Sequence, residues 1–319
     1  MSGFGFFNQM DRGSVWSGML VAGAVALLAV AQGCQSMGAV AGGAADLGKA
    51  AGVITPQQAD SIKKSGDAVG KAFEKFTPSQ EYYVGRSVGA MVITRYKSLN
   101  NEEANRYLNV LGQTLAQFSD KPETYAGYHF LLMESDEINA FAAPGGLIFV
   151  SRGMIRCCRD EDDLAAVLAH EIGHVQLEHG IKSIKSSRLT GAVTTVLMET
   201  GKSLGSQELA ALSEAFEGSI NDIAQKMINE GYAHSSEFQA DKAAVTIMKR
   251  AGYNPNGLVN MLVEMKKNLK PGGKDFAKTH PAPDERIKMI KQAIGTLPVT
   301  EPAARQARFD KALAAVVQK

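Results

Sequence analysis

His170-Glu171-Ile172-Gly173-His174 is the stretch whose reading decides the rest of the chain. On an α-helix successive residues turn by about 100°, so His170 and His174 fall on one face, one turn apart, where two imidazoles can share a zinc ion. Glu171 lies beside them. A carboxylate in that position can take a proton from a zinc-bound water whose pKa the metal has lowered to about 7. The competing interpretation is an ordinary amphipathic helix carrying two solvated histidines.

The flanks support a helix. Asp160 is a natural N-cap, acidic residues fill the first turn, and Leu164, Val167, Leu168, Ile172 and Val175 form an apolar stripe. Gly180 is the expected stop. His179 should then project about 180° from His170, away from any shared metal and at the helix C-terminus, where its proton suits the dipole.

Working outward, Tyr128 to Met133 and Gly146 to Val150 read as strands, with Ile138 to Ala143 as a third extended piece before the Pro144-Gly145-Gly146 turn. Asn139 to Ala143 reads as an exposed edge strand beside the zinc helix, so Asn139, Ala140 and Phe141 are candidate contacts for an extended peptide. His129, alone in an apolar strand, reads as structural. Upstream, Glu81 to Tyr96 and Asn101 to Phe118 carry helical periodicity and predict two packed helices. Downstream, residues 181 to 229 give mixed helical signals, including the apolar Leu189 to Met198, which either cover the site or complete the core. Residues 230 to 250 form a clear helix ended by Gly252 and Pro255, Leu258 to Leu269 a shorter one, and the tail from Pro298 an Ala-rich helical pattern. The fold class is α+β, mainly helical, with a small sheet next to the active helix.

The N-terminal part differs in composition. Residues 15 to 30 are almost wholly apolar, follow Arg12, and lead into Ala31-Gln32-Gly33-Cys34, which reads as a secretory signal ending in a lipobox. Cys34 would become the acylated first residue, with 1–33 removed and 34–77 serving as a Gly/Ala-rich tether that is partly helical at most. An uncleaved signal anchor in the inner membrane is the alternative, and Met10 is a second candidate start. Gln35 after the Cys implies sorting to the outer membrane, facing the periplasm. The formal net charge of the 319 residues is +1, and neither a basic domain nor a dense Lys/Arg run is visible, which argues against a nucleic-acid partner. Cys157 and Cys158 are adjacent, a spacing that closes only a strained ring, so they read as small buried residues, with a vicinal or intermolecular disulfide as the alternative.

Four stretches carry a resemblance. His170-Glu171-Ile172-Gly173-His174-Val175, Glu237-Phe238-Gln239-Ala240-Asp241, His280-Pro281 with Arg286-Ile287, and Asn139 through Gly146 are similar in order and spacing to the HtpX-like and CAAX-prenyl-protease peptidases, over roughly residues 78 to 292. The closest layout is that of periplasmic lipoprotein members. The resemblance implies a zincin-type domain over 78–296, a helical tail over 297–319, and one zinc ion held by His170, His174 and Glu237, with Glu171 catalytic. It implies that Asp241 bonds a zinc-bound imidazole, that of His170. It also implies that His280 and Arg286 set a cationic or hydrogen-bonding group over the substrate carbonyl. His234, one turn before Glu237, is the rival third ligand. Unlike multi-span members of that family, this chain has no segment after Cys34 long enough to cross a bilayer.

The implied function is a lipid-anchored zinc endopeptidase acting on unfolded or misassembled envelope proteins. The alternative is a non-proteolytic envelope assembly factor that keeps the zinc fold for structure.

Overall fold

The computed structural model describes residues 37–52, 54–73, 76–183, 231–268, 283–296 and 302–317. Cys34 and the signal segment, residues 184–230 with the Leu189 to Met198 run, and His280 lie outside the described residues. The chain divides into two compact units, one comprising 1–75 with 185–217 and the other 76–184 with 218–319.

The first unit holds a helical pair, α1 (Met37–Ala50) and α2 (Pro56–Phe73), where only partial helix was expected. The signal passed over in the sequence is Thr55-Pro56-Gln57-Gln58. Thr55 Oγ1 accepts from Gln58 N at 3.2 Å, Gln58 Oε1 accepts from Thr55 N at 2.8 Å, and proline occupies the first helical position. That is a complete capping box, and Ala45, Ile54 and Ala59 bury a small apolar contact between the helices.

The second unit is built on a three-stranded sheet: β1 (His129–Met133), β2 (Ala140–Ala143) and β3 (Leu147–Ser151), in the order β1-β3-β2. β1 runs parallel to β3, and β2 antiparallel to it with Phe141 opposite Phe149. The β2–β3 turn needs Gly145 and Gly146, whose φ values of 77° and 97° disfavour any side chain. Strand alternation then sorts the side chains to two faces. Phe130, Leu132, Ala140, Ala142, Ile148 and Val150 join the main core, while Met133, Phe141, Ala143 and Phe149 join a second cluster.

Helix α3 (Pro78–Arg95) brings Val88, Val92 and Tyr96 to the second cluster, whereas α4 (Glu102–Ala116) brings Leu108, Leu111 and Leu115 to the main core. The two helices therefore take opposite faces of the sheet instead of packing on each other as expected. Periodicity shows that a helix has an apolar face but not what covers it.

A short α5 (Arg152–Ile155) follows β3 and leads to α6 (Glu161–Gln176), which carries the histidine motif through the middle of the main core. Helices α7 (His234–Ala251), α8 (Asn256–Asn268), α9 (Pro283–Ile294) and α10 (Ala303–Val317) close around it. The tail helix α10 is part of this body, since Phe309, Leu313 and Val316 are buried in the same core. Cys157 and Cys158 are buried and are not joined in a disulfide. Among the described residues, no helix is long and apolar enough to cross a membrane.

Candidate metal centre and active site

Helix α6 begins as expected, with the Asp160 side chain accepting from Asp163 N at 2.8 Å. Its first turn is acidic but not solvated. Glu161, Asp162 and Asp163 are buried, and each meets an arginine: Arg308 at 2.6 Å, Arg305 at 3.1 Å and Arg159 at 2.8 Å. Tyr107 and Tyr253 hydroxyls complete the shell of Glu161 at 2.9 and 3.0 Å. The helix N-terminus is thereby pinned from α4, the α7–α8 loop and α10.

Two turns on, His170 and His174 bring their Nε2 atoms to 3.1 Å from each other. Glu237, in the first turn of α7, reaches both, with Oε2 3.4 Å from His170 Nε2 and Oε1 3.4 Å from His174 Nε2. One ligand atom from each of the three lies within 4.8 Å of the others, and all three residues are buried. His234 sits exposed at the start of α7 and takes no part in this cluster.

The outer nitrogens settle how the rings are held. His170 Nδ1 lies 3.0 Å from Asp241 Oδ1, the partner expected for it. Asp241 is in turn held by Arg286 through Nη2–Oδ1 at 2.6 Å and Nε–Oδ2 at 2.8 Å. Burial and the Arg286 charge oppose a proton on His170, yet the carboxylates of Asp241 and Glu237 outweigh them and raise its pKa to about 9. Arg286 is fully buried behind the histidines, with its guanidinium committed to Asp241. Its Nη2 also lies 3.3 Å from His170 Nδ1 and its Nη1 3.9 Å from Glu237 Oε2, so it supports the groups around the cluster.

His174 has a partner that the sequence did not reveal. Its Nδ1 is 2.9 Å from His179 Nδ1, and His179 Nε2 is 3.2 Å from Gln239 Oε1. Extending the helical wheel to residue 179 put this histidine on the wrong side. Helix α6 ends at Gln176, Glu178 adopts a left-handed φ of 55°, and the chain turns back so that His179 faces His174. Gly180 then lies in the helical turn that follows the break instead of stopping the helix. Burial lowers the pKa of His174 to about 3 and depresses that of His179 as well. Both are therefore neutral at pH 7, and a hydrogen on His174 Nδ1 donated to His179 leaves the Nε2 lone pair aimed at the cluster.

Glu171 is 1 % exposed, and its Oε1 accepts no hydrogen bond among the described residues. Burial pushes its carboxyl up to about 7. A buried carboxylate oxygen without a donor, beside two imidazole lone pairs and a carboxylate converging on one point, fits a tetrahedral zinc site with an open fourth position.

β2 is the sheet edge on this side, but it is not exposed: Asn139, Ala140, Phe141 and Ala142 are all buried. Ser151 N donates to Asn139 O, so by antiparallel alternation Phe141 spends its main chain on β3, while Ala140 and Ala142 turn theirs to the free edge. Phe141 also points its ring into the second cluster against Tyr96, so it does not face a peptide on that edge. Ala140 N is taken by Asn139 Oδ1 at 3.0 Å, and Ala142 O accepts from the Tyr232 hydroxyl at 3.1 Å. The Tyr232 ring stacks on His174, with centroids 4.3 Å apart and planes 19° apart.

A buried His/His/Glu cluster on two packed helices, with the adjacent Glu171 Oε1 accepting no hydrogen bond among the described residues, defines a metallopeptidase centre. The chain belongs to peptidase family M48, whose model matches residues 102–294. It is 28 % identical over 248 residues to the beta-barrel assembly-enhancing protease of Escherichia coli K12, covering 74 % of this chain and 48 % of that protein. It is 26 % identical over 192 residues to the metalloprotease LoiP of the same organism, covering 60 % and 71 %. With the mitochondrial metalloendopeptidase OMA1 of Schizosaccharomyces pombe it shares 32 % over 160 residues, covering 48 % and 43 %. The chain thus spans about half the length of the first of these relatives.

Proposed function

We propose that this chain is a zinc-dependent endopeptidase that cleaves unfolded or misassembled proteins of the bacterial cell envelope. The observation that carries it is the placement of Glu171, buried and with a free carboxylate oxygen, against the convergent His170, His174 and Glu237. A zinc ion bound by those three residues supplies Lewis acidity and an acidified water. Glu171 accepts the water's proton at Oε1, where burial has brought its carboxyl close to the working pH, and returns it to the departing amine. Asp241 and His179 hold the two imidazoles by their outer nitrogens, which leaves both Nε2 atoms facing the point where the ion would be held. His280 is proposed as the donor to the substrate carbonyl as it gains charge.

The substrate class rests on two supports. Backbone recognition along β2 gives little side-chain selectivity and requires an extended chain, which a folded protein offers only after local opening. The relative named a beta-barrel assembly-enhancing protease points to envelope proteins. Acylation of Cys34 would hold the enzyme on the periplasmic face of the outer membrane; Cys34→Ser should release it to the soluble periplasm, and unchanged fractionation would favour an uncleaved anchor. The central test is Glu171→Gln, which should keep zinc and lose hydrolysis of a reduced, denatured protein. Normal turnover by that variant would remove the mechanism. Equal wild-type cleavage of native and denatured forms of one protein would remove the quality-control role.

A further inference from the structure

Two main-chain groups on the outward edge of β2 are already bonded within the chain. Ala140 N is bonded by the neighbouring Asn139 side chain, a local contact within the strand. Ala142 O is bonded from ninety residues away, by the hydroxyl of Tyr232 at 3.1 Å. An extended peptide adding to this edge needs that carbonyl oxygen as an acceptor for one of its own amides. The same tyrosine lies flat on His174 at 4.3 Å, so its hydroxyl reaches the strand from directly beside the metal cluster.

We propose that Tyr232 is a specificity-determining residue: its hydroxyl stands in for a substrate amide on Ala142 O, and binding proceeds by exchange of one donor for the other. The inference rests on the peptidase function proposed above and on strand addition at β2. It makes the edge selective in a way an open edge is not. A segment whose amide can replace the phenol binds without loss, whereas a segment that presents proline or a blocked amide at that point leaves Ala142 O without a donor once Tyr232 has moved. A buried acceptor left without a partner costs more than the exchange itself returns. The contact also keeps the edge from pairing with unrelated strands while no substrate is bound. The aromatic stack needs only the ring, so Tyr232→Phe separates the hydroxyl from the packing on His174.

The experiment uses the full zinc-loaded chain, with Glu171→Gln added where turnover must be stopped, and a fluorescent extended peptide that the wild type cuts. Tyr232→Phe should bind it about three- to tenfold more tightly, because no phenol has to be displaced. Zinc content should be unchanged. With Glu171 restored, KM should fall in step and kcat should stay within about twofold. Tyr232→Leu, which also drops the ring, should tighten binding at least as much. A scan of the peptide by single N-methylation should then find one amide whose blocking abolishes the gain. Unchanged affinity, a gain that survives every N-methylation, or loss of zinc from both variants would overturn the proposal. So would a kcat collapse at constant KM, which would make the hydroxyl a donor in the reaction. If the wild type cleaves no peptide, the function proposed above has failed instead, so the two failures are distinguishable.

Discussion

Arg286 holds Asp241 with two bonds, 2.6 Å from Nη2 to Oδ1 and 2.8 Å from Nε to Oδ2, and Asp241 passes that constraint to His170 Nδ1 at 3.0 Å. The chain from α9 through α7 to α6 is fully buried, so each link depends on the next.

Removing the guanidinium should therefore do two things at once. Arg286→Met leaves the Asp241 carboxylate buried without its main partner, which should cost about 3–5 kcal/mol in denaturant unfolding and weaken zinc about 10- to 100-fold in chelator competition. There is also a pH signature. Burial alone would raise the Asp241 carboxyl, but Arg286 overrides it and holds the group well below the usual carboxylate range. A depressed folded pKa contributes stability that is present above the unfolded value of about 3.9 and is lost as pH falls through the folded one. With both proteins zinc-free, the variant's stability deficit should therefore be largest above about pH 4 and shrink as pH falls, since acid removes from the wild type the contribution that the variant already lacks; a deficit that does not change with pH would sink this account.

His179 should matter to the metal without touching it. His179→Ala removes the acceptor from His174 Nδ1, freeing the ring to rotate, and zinc affinity should drop about 10-fold or more. His179→Gln restores an acceptor and should recover much of the loss. A cobalt-substituted wild type and the Ala variant should differ in their visible spectra, since ligand orientation changes. Equal affinities and spectra would show that His179 is only a filler of the α6–α7 corner.

The histidine motif and its N-cap were legible because helix geometry is periodic: a fixed 100° turn converts spacing into a shared face. Glu237 and Asp241 were legible through a resemblance, since no local rule links residues more than sixty positions from His174. His179 was not legible, because the wheel assumes an unbroken helix and Glu178 breaks it with a left-handed residue, which no strong signal announces. The bond partner of Arg286 was not legible for a related reason. A motif places an arginine near a site, but only the packing of α9 decides that its guanidinium meets Asp241. β2 was correctly read as an edge and wrongly as exposed, since what caps its outward groups comes from distant residues such as Tyr232.

The tail helix should act on the active helix through charge. Arg308 bonds Glu161 at 2.6 and 3.1 Å, and Glu161 is 1 % exposed at the first position of α6. Arg308 itself is 54 % exposed on its side chain, so the expected loss for Arg308→Ala is discounted to about 1–2 kcal/mol, with Tyr107 and Tyr253 still bonding Glu161. Adding Arg305→Ala, which removes one donor from Asp162 and leaves that of Asn254 N, should deepen the loss. Thermal unfolding of the single and double variants checks this, and a double variant as stable as the wild type would contradict it.

A constraint at the site itself concerns Gly173, which lies between Glu171, the proposed catalytic base, and His174. A Cβ placed there would stand 3.0 Å from Ala240 O, 3.2 Å from Ala240 Cα and 3.2 Å from the Ala243 methyl. All three atoms belong to α7, the helix that carries Glu237, so glycine at 173 is what lets α6 and α7 approach closely enough for the three proposed ligands to share one ion. Gly173→Ala improves intrinsic helix propensity by about 1 kcal/mol, yet it must push α7 outward by a few tenths of an ångström. The net expectation is a stability loss of about 1–2 kcal/mol, because overpacking of this kind typically costs 1–3. Zinc affinity should fall by at least 10-fold, because the displaced helix moves a ligand. Ala243→Gly removes one of the three contacts and leaves the two to Ala240, so the double variant should regain part of the zinc affinity but not all of it. Wild-type zinc affinity in Gly173→Ala would show that the helices can separate without disturbing the ligands, and the close approach would lose its functional meaning.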